Sequence, residues 1–321
     1  MIFFKFKKEL EKNRFYHANY ARLDVIKKQV EEEKKMKQPR ILVIQDISAS
    51  CRISMNVAVP ILSCLENWVS ILPTALLSTH TGKGFEEYTF LDLSTEIPAI
   101  LNHWRSLGIK FDGIVIGYLG SVEQIKLMES IITQFTTEEA LIVLDPVMGD
   151  HGKLYPGYTS EHVEAMRELC QFADVLIPNV TEACLLTETS YPEKPHTKEK
   201  VEPIIRKLTN KNKKSIVLSG VSGNEKQVGA AFVTKEISIV HYTFSEVYPG
   251  HFDGVGDLFT SVVAGFLFQE HSLKRANEVA VNYISRVVKR TIEEQIDPLY
   301  GIAFEKDLMY LMKELKKETS Y

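Results

Sequence analysis

Short, largely apolar runs recur along this chain with helix-length stretches between them, and that alternation restricts the fold more than any other feature. The runs are Ile41-Leu42-Val43-Ile44, Gly113-Ile114-Val115-Ile116, Leu141-Ile142-Val143-Leu144, Val175-Leu176-Ile177 and Ser215-Ile216-Val217-Leu218. They are too short for buried helices and have no polar face, which is the pattern of strands covered on both sides. Helical stretches fall near 54–66, 94–107, 121–135, 160–171, 180–187 and 198–210. Residues 69–77 read as another strand, interrupted by Pro73 and therefore near an edge or a bulge. Residues 227–243 read as a two-stranded hairpin, and 255–269, 272–291 and 304–317 as helices. Strand–helix alternation predicts an α/β fold, a parallel sheet with helices on both faces.

In such sheets ligands bind beyond the carboxyl ends of the strands. The residues that follow each run are therefore the informative ones. They are Gln45-Asp46, Gly117-Tyr118-Leu119-Gly120-Ser121, Asp145-Pro146-Val147-Met148-Gly149-Asp150, Pro178-Asn179-Val180-Thr181-Glu182 and Ser219-Gly220. Asp145 and Asp150 offer hard oxygen ligands suited to magnesium, while Asp-Pro and Gly-Asp are equally common turn formers. Asn179 and Glu182 fit a metal-bound water, but the same spacing is a capping box, the stronger reading from these residues alone. Tyr118, framed by Gly117 and Gly120, suits either stacking on a flat ring or ordinary packing. His80 and Thr81 lie in a polar loop, 78–84, that either closes over a substrate or is simply solvated. Neither a P-loop nor a Gly-x-Gly-x-x-Gly after the first strand is present.

Asp253-Gly254-Val255-Gly256-Asp257 opens the apolar run 258–266. Two glycines at a helix start turn amides toward one point, and the helix end adds positive charge there. An acid beside an anion site is electrostatically unfavourable unless it acts on a proton. Asp257 is then either a base for phosphoryl transfer or a capping residue.

Net charge is −4, which does not favour nucleic acid, and no apolar run has the length of a membrane span. Cys51, Cys64, Cys170 and Cys184 form no zinc spacing and suit a reducing, cytoplasmic setting. Residues 1–39 read as a helical extension, with Leu23, Ile26 and Val30 on one side, and 40–321 as the folded domain. The first forty residues carry twelve Lys or Arg and six Asp or Glu. Met1-Ile2-Phe3-Phe4 beside lysines allows a weak membrane-surface anchor; the alternative is a solvated or docking helix. Residues 1–35 are expected to be dispensable, so that a chain starting at Met36 folds and stays active.

Six segments taken together resemble the pyridoxal/pyridoxamine kinases of the ribokinase superfamily, over about residues 40–315. They are Ile44-Gln45-Asp46, Ser78-Thr79-His80-Thr81-Gly82, Gly117-Tyr118-Leu119-Gly120-Ser121, the Asp145–Asp150 segment, the Pro178–Glu182 segment, and Gly254-Val255-Gly256-Asp257-Leu258-Phe259-Thr260-Ser261. The resemblance implies a three-layer α/β/α fold with a small β lid. It implies transfer of the ATP γ-phosphoryl to the 5′-hydroxymethyl of a vitamin B6 compound, with Mg2+, a monovalent cation left open, and a homodimer. It places the base on Asp257 and the anion hole on the amides of Gly254, Val255 and Gly256. Asp145, Asp150 and Glu182 match acidic positions near metal and phosphates, and Asn179, Ser219 and Gly220 the nucleotide side. Asp46, Ser48, His80, Thr81 and Tyr118 match the substrate side.

The chain departs from the pattern in two places: residues 48–56 contain no glycine, with Cys51 in its place, and Lys83 is inserted between Gly82 and Gly84. Two other readings stand beside it. One is a hydroxymethylpyrimidine kinase on the same fold, where a cysteine usually occupies the position of Asp257. The other is a non-catalytic B6- or nucleotide-binding protein.

Overall fold

A computed structural model describes residues 38–317, apart from 83, 213 and 237–238. The expected extension before Pro39, its possible membrane anchor, the start at Met36 and the insertion at Lys83 lie outside the described residues. From Pro39 the chain forms one compact unit.

The strands are β1 (Arg40–Ser48), β2 (Trp68–Leu77), β3 (Phe90–Asp92), β4 (Phe111–Ile116), β5 (Thr136–Leu144), β6 (Gly149–Asp150), β7 (Lys153–Leu154), β8 (Val175–Leu176), β9 (Ser215–Asn224), β10 (Gln227–Val233) and β11 (His241–Glu246). The helices are α1 (Met55–Cys64), α2 (Ile97–Ser106), α3 (Val122–Phe135), α4 (Ser160–Leu169), α5 (Val180–Thr187), α6 (Lys198–Asn212), α7 (Val255–Phe268), α8 (Leu273–Glu293) and α9 (Leu308–Leu315). Nine strands form one sheet in the order β11-β10-β9-β8-β5-β4-β1-β2-β3. The pairs from β9 through β8, β5, β4 and β1 to β2 are parallel; β3, β10 and β11 join antiparallel.

The apolar runs divide their side chains between two cores. Leu42, Ile44, Ile114, Ile116, Ile142 and Leu144 face one core with residues of α2 to α6. Ile41, Val43, Val115, Val143 and Val217 face the other with residues of α1, α7, α8 and α9. This is the three-layer arrangement predicted from the alternation. Each such side chain, once buried, contributes about 1.5–3 kcal/mol to holding the layers together. α7 is buried on nearly every side from Leu258 to Phe268, so its polar N-terminus can reach the surface only at the sheet rim.

β1 leaves toward β2 on one side, and β4 lies on its other side. The strand order therefore reverses at β1, where an open α/β sheet forms its ligand crevice. The register of β1 on β2 shifts between Gln45 and Ile47, opposite Pro73, so Pro73 sits at a bulge one strand in from the edge. Three elements depart from the sequence reading. β3 was not expected, and β6–β7 forms a two-stranded hairpin within the Asp-rich turn. β9 does not end at Leu218 but continues to Asn224. Ser219 and Gly220 thus lie inside a strand, where β9 passes from parallel pairing to its hairpin with β10. Among the described residues, no helix is long and apolar enough to cross a membrane.

Candidate active site

The rim is built around the start of α7. Gly254 is the N-cap, with φ +78, and an ideal Cβ there would lie 2.4 Å from the Arg52 carbonyl oxygen. Only glycine satisfies both conditions, so this residue lets the turn between β1 and α1 close onto the helix. The first-turn amides of α7, which follow Gly254, have no intrahelical acceptor and present an anion site. Asp257 lies in that first turn. Its Oδ2 accepts a hydrogen bond from the Ser54 N–H at 2.9 Å. Burial pushes its carboxyl up to about 7, the Ser54 bond opposes the shift, and Asp46 and Asp145 reinforce it. A carboxyl near 7 is poised to take a proton at neutral pH.

Asp46 is 5% exposed, and its Oδ2 accepts from the Ser48 hydroxyl at 3.0 Å. Burial raises its pKa. Tyr118, half-buried after β4, has its phenol pushed up to about 12 by burial and then by the charge of Asp46. The Tyr158 ring packs edge-on to Tyr118 at 6.2 Å, and its hydroxyl donates to the Leu119 carbonyl at 3.0 Å.

The loop after β2 divides the two residues expected on the substrate side. Thr81 is exposed. His80 is buried, with Nε2 donating to the Leu299 carbonyl at 2.8 Å and Nδ1 accepting from the Gly82 N–H at 2.9 Å. Both ring nitrogens are therefore spent on backbone, and His80 shapes the loop rather than offering a free group to a ligand.

Asp145 accepts from the Thr260 hydroxyl at 2.7 Å, and burial raises its carboxyl to about 6. Glu182 is 2% exposed and makes the capping box. Its Oε2 accepts from Asn179 N at 2.8 Å and its Oε1 from Met148 N at 3.1 Å. The Asn179 side chain accepts from Glu182 N at 3.0 Å and donates to the Gly149 carbonyl at 2.8 Å. Burial first, then the charge of Asp145, pushes Glu182 well above the usual carboxylate range. Asp150 is more open and accepts from its neighbour His151 N at 2.6 Å. Ser219 is half-buried, with its N–H on the Pro178 carbonyl at 2.9 Å. Gly220 is exposed at φ +69, inside the irregular register between β9 and β10.

Among the described residues, no group of three His, Cys, Asp or Glu side chains is arranged to hold a metal by itself. Magnesium requires only one or two carboxylates when it shares ligands with phosphates. Burial and then the charge of Asp145 raise the proton affinity of Glu182, and burial raises that of Asp145. A cation would relieve that repulsion, so the donor set fits. Both Glu182 oxygens are held by backbone N–H groups, whereas Asp145 accepts from Thr260 and Asp150 from His151 through one oxygen each, so these two are the better placed to reach it.

Three residues of the rim escaped the sequence reading: Ser54, Thr260 and Tyr155. Tyr155 is 40% exposed, and its phenol is raised by partial desolvation and then by the charges of Glu182, Asp150, Asp145 and Asp257. No periodicity marks it; it directly follows β7, with its N–H on the Met148 carbonyl at 2.9 Å.

A half-buried acid at a glycine-bearing helix start, an adjoining acidic set and a strand order that reverses at β1 beside them define an ATP-dependent phosphotransferase of the ribokinase-like class. The family model described as phosphomethylpyrimidine kinase matches residues 94–299, and the chain belongs to that family. Pyridoxal kinase from Lactobacillus plantarum is similar at 35% identity and TM-score 0.79, covering 86% of this chain and 98% of that one. A Bacteroides thetaiotaomicron structure, described as a putative phosphomethylpyrimidine kinase with pyridoxal, is similar at 33% identity and TM-score 0.80, covering 89% and 98%. A putative pyridoxal kinase of Schizosaccharomyces pombe is 26% identical over 292 residues, 82% of this chain and 91% of its own length.

Proposed function

We propose that this protein transfers the γ-phosphoryl group of ATP to the 5′-hydroxymethyl group of a vitamin B6 compound. The observation that carries this reading is Asp257, a half-buried acid near 7 in the first turn of an anion-binding helix start, with its N–H donor Ser54 on one oxygen and the charge of Asp46 close by. The likeness to the L. plantarum pyridoxal kinase supports it.

In this reading the pyridine ring lies between Asp46 and Tyr118, with Ser48 holding Asp46 and the 78–84 loop above. The amides of Gly254, Val255 and Gly256 donate to the phosphoryl oxygens, and Asn179, Ser219 and Gly220 border the nucleotide. Asp257 accepts the hydroxyl proton as the acceptor oxygen bonds to phosphorus and the bond to the β-phosphate oxygen breaks. In a loose transition state this transfer comes late, so Asp257 orients the hydroxyl as much as it activates it. Magnesium, when bound, would be held by Asp145 and Asp150 with Glu182 close by, and would neutralise the phosphates.

A homodimer is supported by the apolar edge of β2 and β3, where Trp68 and Leu91 are 55% and 56% exposed. Four unpaired cysteines support a cytoplasmic setting.

A second reading, hydroxymethylpyrimidine phosphorylation, is favoured by the description of the matching family model. Aspartate at position 257 speaks against it. One assay separates the two: purified protein with magnesium-ATP and pyridoxal, pyridoxamine, pyridoxine or hydroxymethylpyrimidine. Phosphorylation of a B6 compound is the expected result; phosphorylation of the pyrimidine alone overturns the proposal, and no product with any acceptor points to a binding protein.

A further inference from the structure

The turn between β1 and α1 contains a backbone conformation that the reaction as described does not use. Ser54 has φ +53 and ψ −125. This is the geometry of the first central residue of a type II′ turn, where glycine is the usual occupant. A residue with a Cβ keeps such a conformation only when its surroundings over-determine it, and these positions gather at functional sites.

Ser54 is 4% exposed and held from several sides. Its carbonyl accepts from the N–H groups of Val57 and Ala58, each at 3.0 Å, which starts α1. Its backbone forms an antiparallel bridge with Ile47 of β1. Its N–H donates to Asp257 Oδ2 at 2.9 Å, and its hydroxyl lies beside Asp46 and favours the ionised carboxyl against the burial that disfavours it. One residue thus touches both the acid at the start of α7 and the acid of the ring pocket, two groups whose charges oppose each other.

We infer that Ser54 is a positioning residue for phosphoryl transfer: its left-handed backbone aims the N–H at Asp257 Oδ2, leaving Oδ1 for the acceptor hydroxyl, while its own hydroxyl lies on the Asp46 side. The inference rests on reading Asp257 as the base. A carboxylate on two rotatable bonds has many orientations, and a donor fixed on one oxygen selects among them. A backbone donor has no rotamer to relax into, so its direction is set by β1, α1 and α7 together. Glycine at this position keeps the φ and the N–H but loses the hydroxyl. A β-branched residue cannot keep the φ, and the N–H swings away.

The test is the series Ser54→Gly, Ser54→Ala and Ser54→Val, with ATP and the B6 acceptor varied separately and folding checked by circular dichroism. Ser54→Val is expected to lower kcat about 10–100-fold with the KM for ATP within about twofold, since a misaimed base loses transition-state stabilisation. Ser54→Gly is expected to restore kcat to within about threefold of native and to raise the acceptor KM about 5–10-fold, and Ser54→Ala to match that KM rise. A folded Ser54→Val enzyme with native kcat overturns the inference. If Ser54→Val does not fold, the other two decide, and a native acceptor KM in both overturns it. Near-native turnover of Asp257→Asn shows instead that the base reading failed. Lost turnover there, beside native kinetics across the Ser54 series, removes only the present inference.

Discussion

Replacing Asp257 by Asn should separate activity from stability, with opposite signs. The carboxyl rises from 3.8 to about 7 through burial and through the charges of Asp46 and Asp145. A base with that value is about half ionised at pH 7, about a tenth at pH 6 and about nine-tenths at pH 8, so native turnover should rise roughly tenfold from pH 6 to pH 8. In Asp257→Asn the side-chain oxygen still accepts from the Ser54 N–H, but nothing takes the proton. Turnover should fall about 10²–10⁴-fold and lose its rise with pH. Stability moves the other way. A folded pKa above the unfolded one means that ionising the carboxyl disfavours the fold. The penalty is absent below about pH 4, grows as pH rises toward 7 and is complete above it. The full shift corresponds to about 4 kcal/mol, and solvent at the half-buried carboxyl screens much of it. The Asn variant should therefore unfold about 1–2 kcal/mol less readily than native at pH 8 and equally at pH 4. Steady-state kinetics from pH 5.5 to 8.5 and urea titrations at both ends check both halves. Near-native turnover, or a stability difference independent of pH, would refute the reasoning.

Glu182→Ala leaves the buried Met148 N–H and the part-buried Asn179 N–H without an acceptor and should destabilise the fold by about 1–3 kcal/mol, with Glu182→Gln intermediate; urea midpoints measure it. Gly254→Ala forces a Cβ against the Arg52 carbonyl at positive φ, and a loss of about 2 kcal/mol or more together with lower turnover should appear in thermal melts and kinetics. Excess chelator should abolish turnover and added magnesium restore it, with the far-UV circular dichroism unchanged because Glu182 and Asp145 are held by protein donors. Leu91→Glu should shift sedimentation to a monomer; an unchanged sedimentation coefficient would remove the β2–β3 edge as the dimer contact.

Most of the sheet could be read in advance because a strand buried on both faces carries its signature locally. Ile41 to Ile44 need no partner to show that both faces are apolar, and Pro73 announces a bulge by lacking an N–H. β3 carried no such mark. All its residues are exposed, and it is a strand only because the edge of β2 offers backbone donors and acceptors. Ser219 and Gly220 looked like a strand end because the apolar run stops at Leu218, whereas β10 supplies the pairing that carries the strand onward.

The site divides along the same line. Asp257, Gly254, Asp145 and Glu182 were legible because glycine-bearing turns and strand ends are local chemistry, and the Asn179–Glu182 cap is a contact between near neighbours. Ser54 and Thr260 were not, since their partners Asp257 and Asp145 lie 203 and 115 residues away in the chain. Tyr155 shows its place only through four acids from three separate segments. Residue order was enough to establish the layered α/β architecture, the rim and the acid at the helix start, because each depends on side chains a few positions apart. Whether that acid is a base or a cap depends on its burial and on the charges around it. Those arise only when α7, the turn before α1 and the ends of β1 and β5 converge and exclude water from one point.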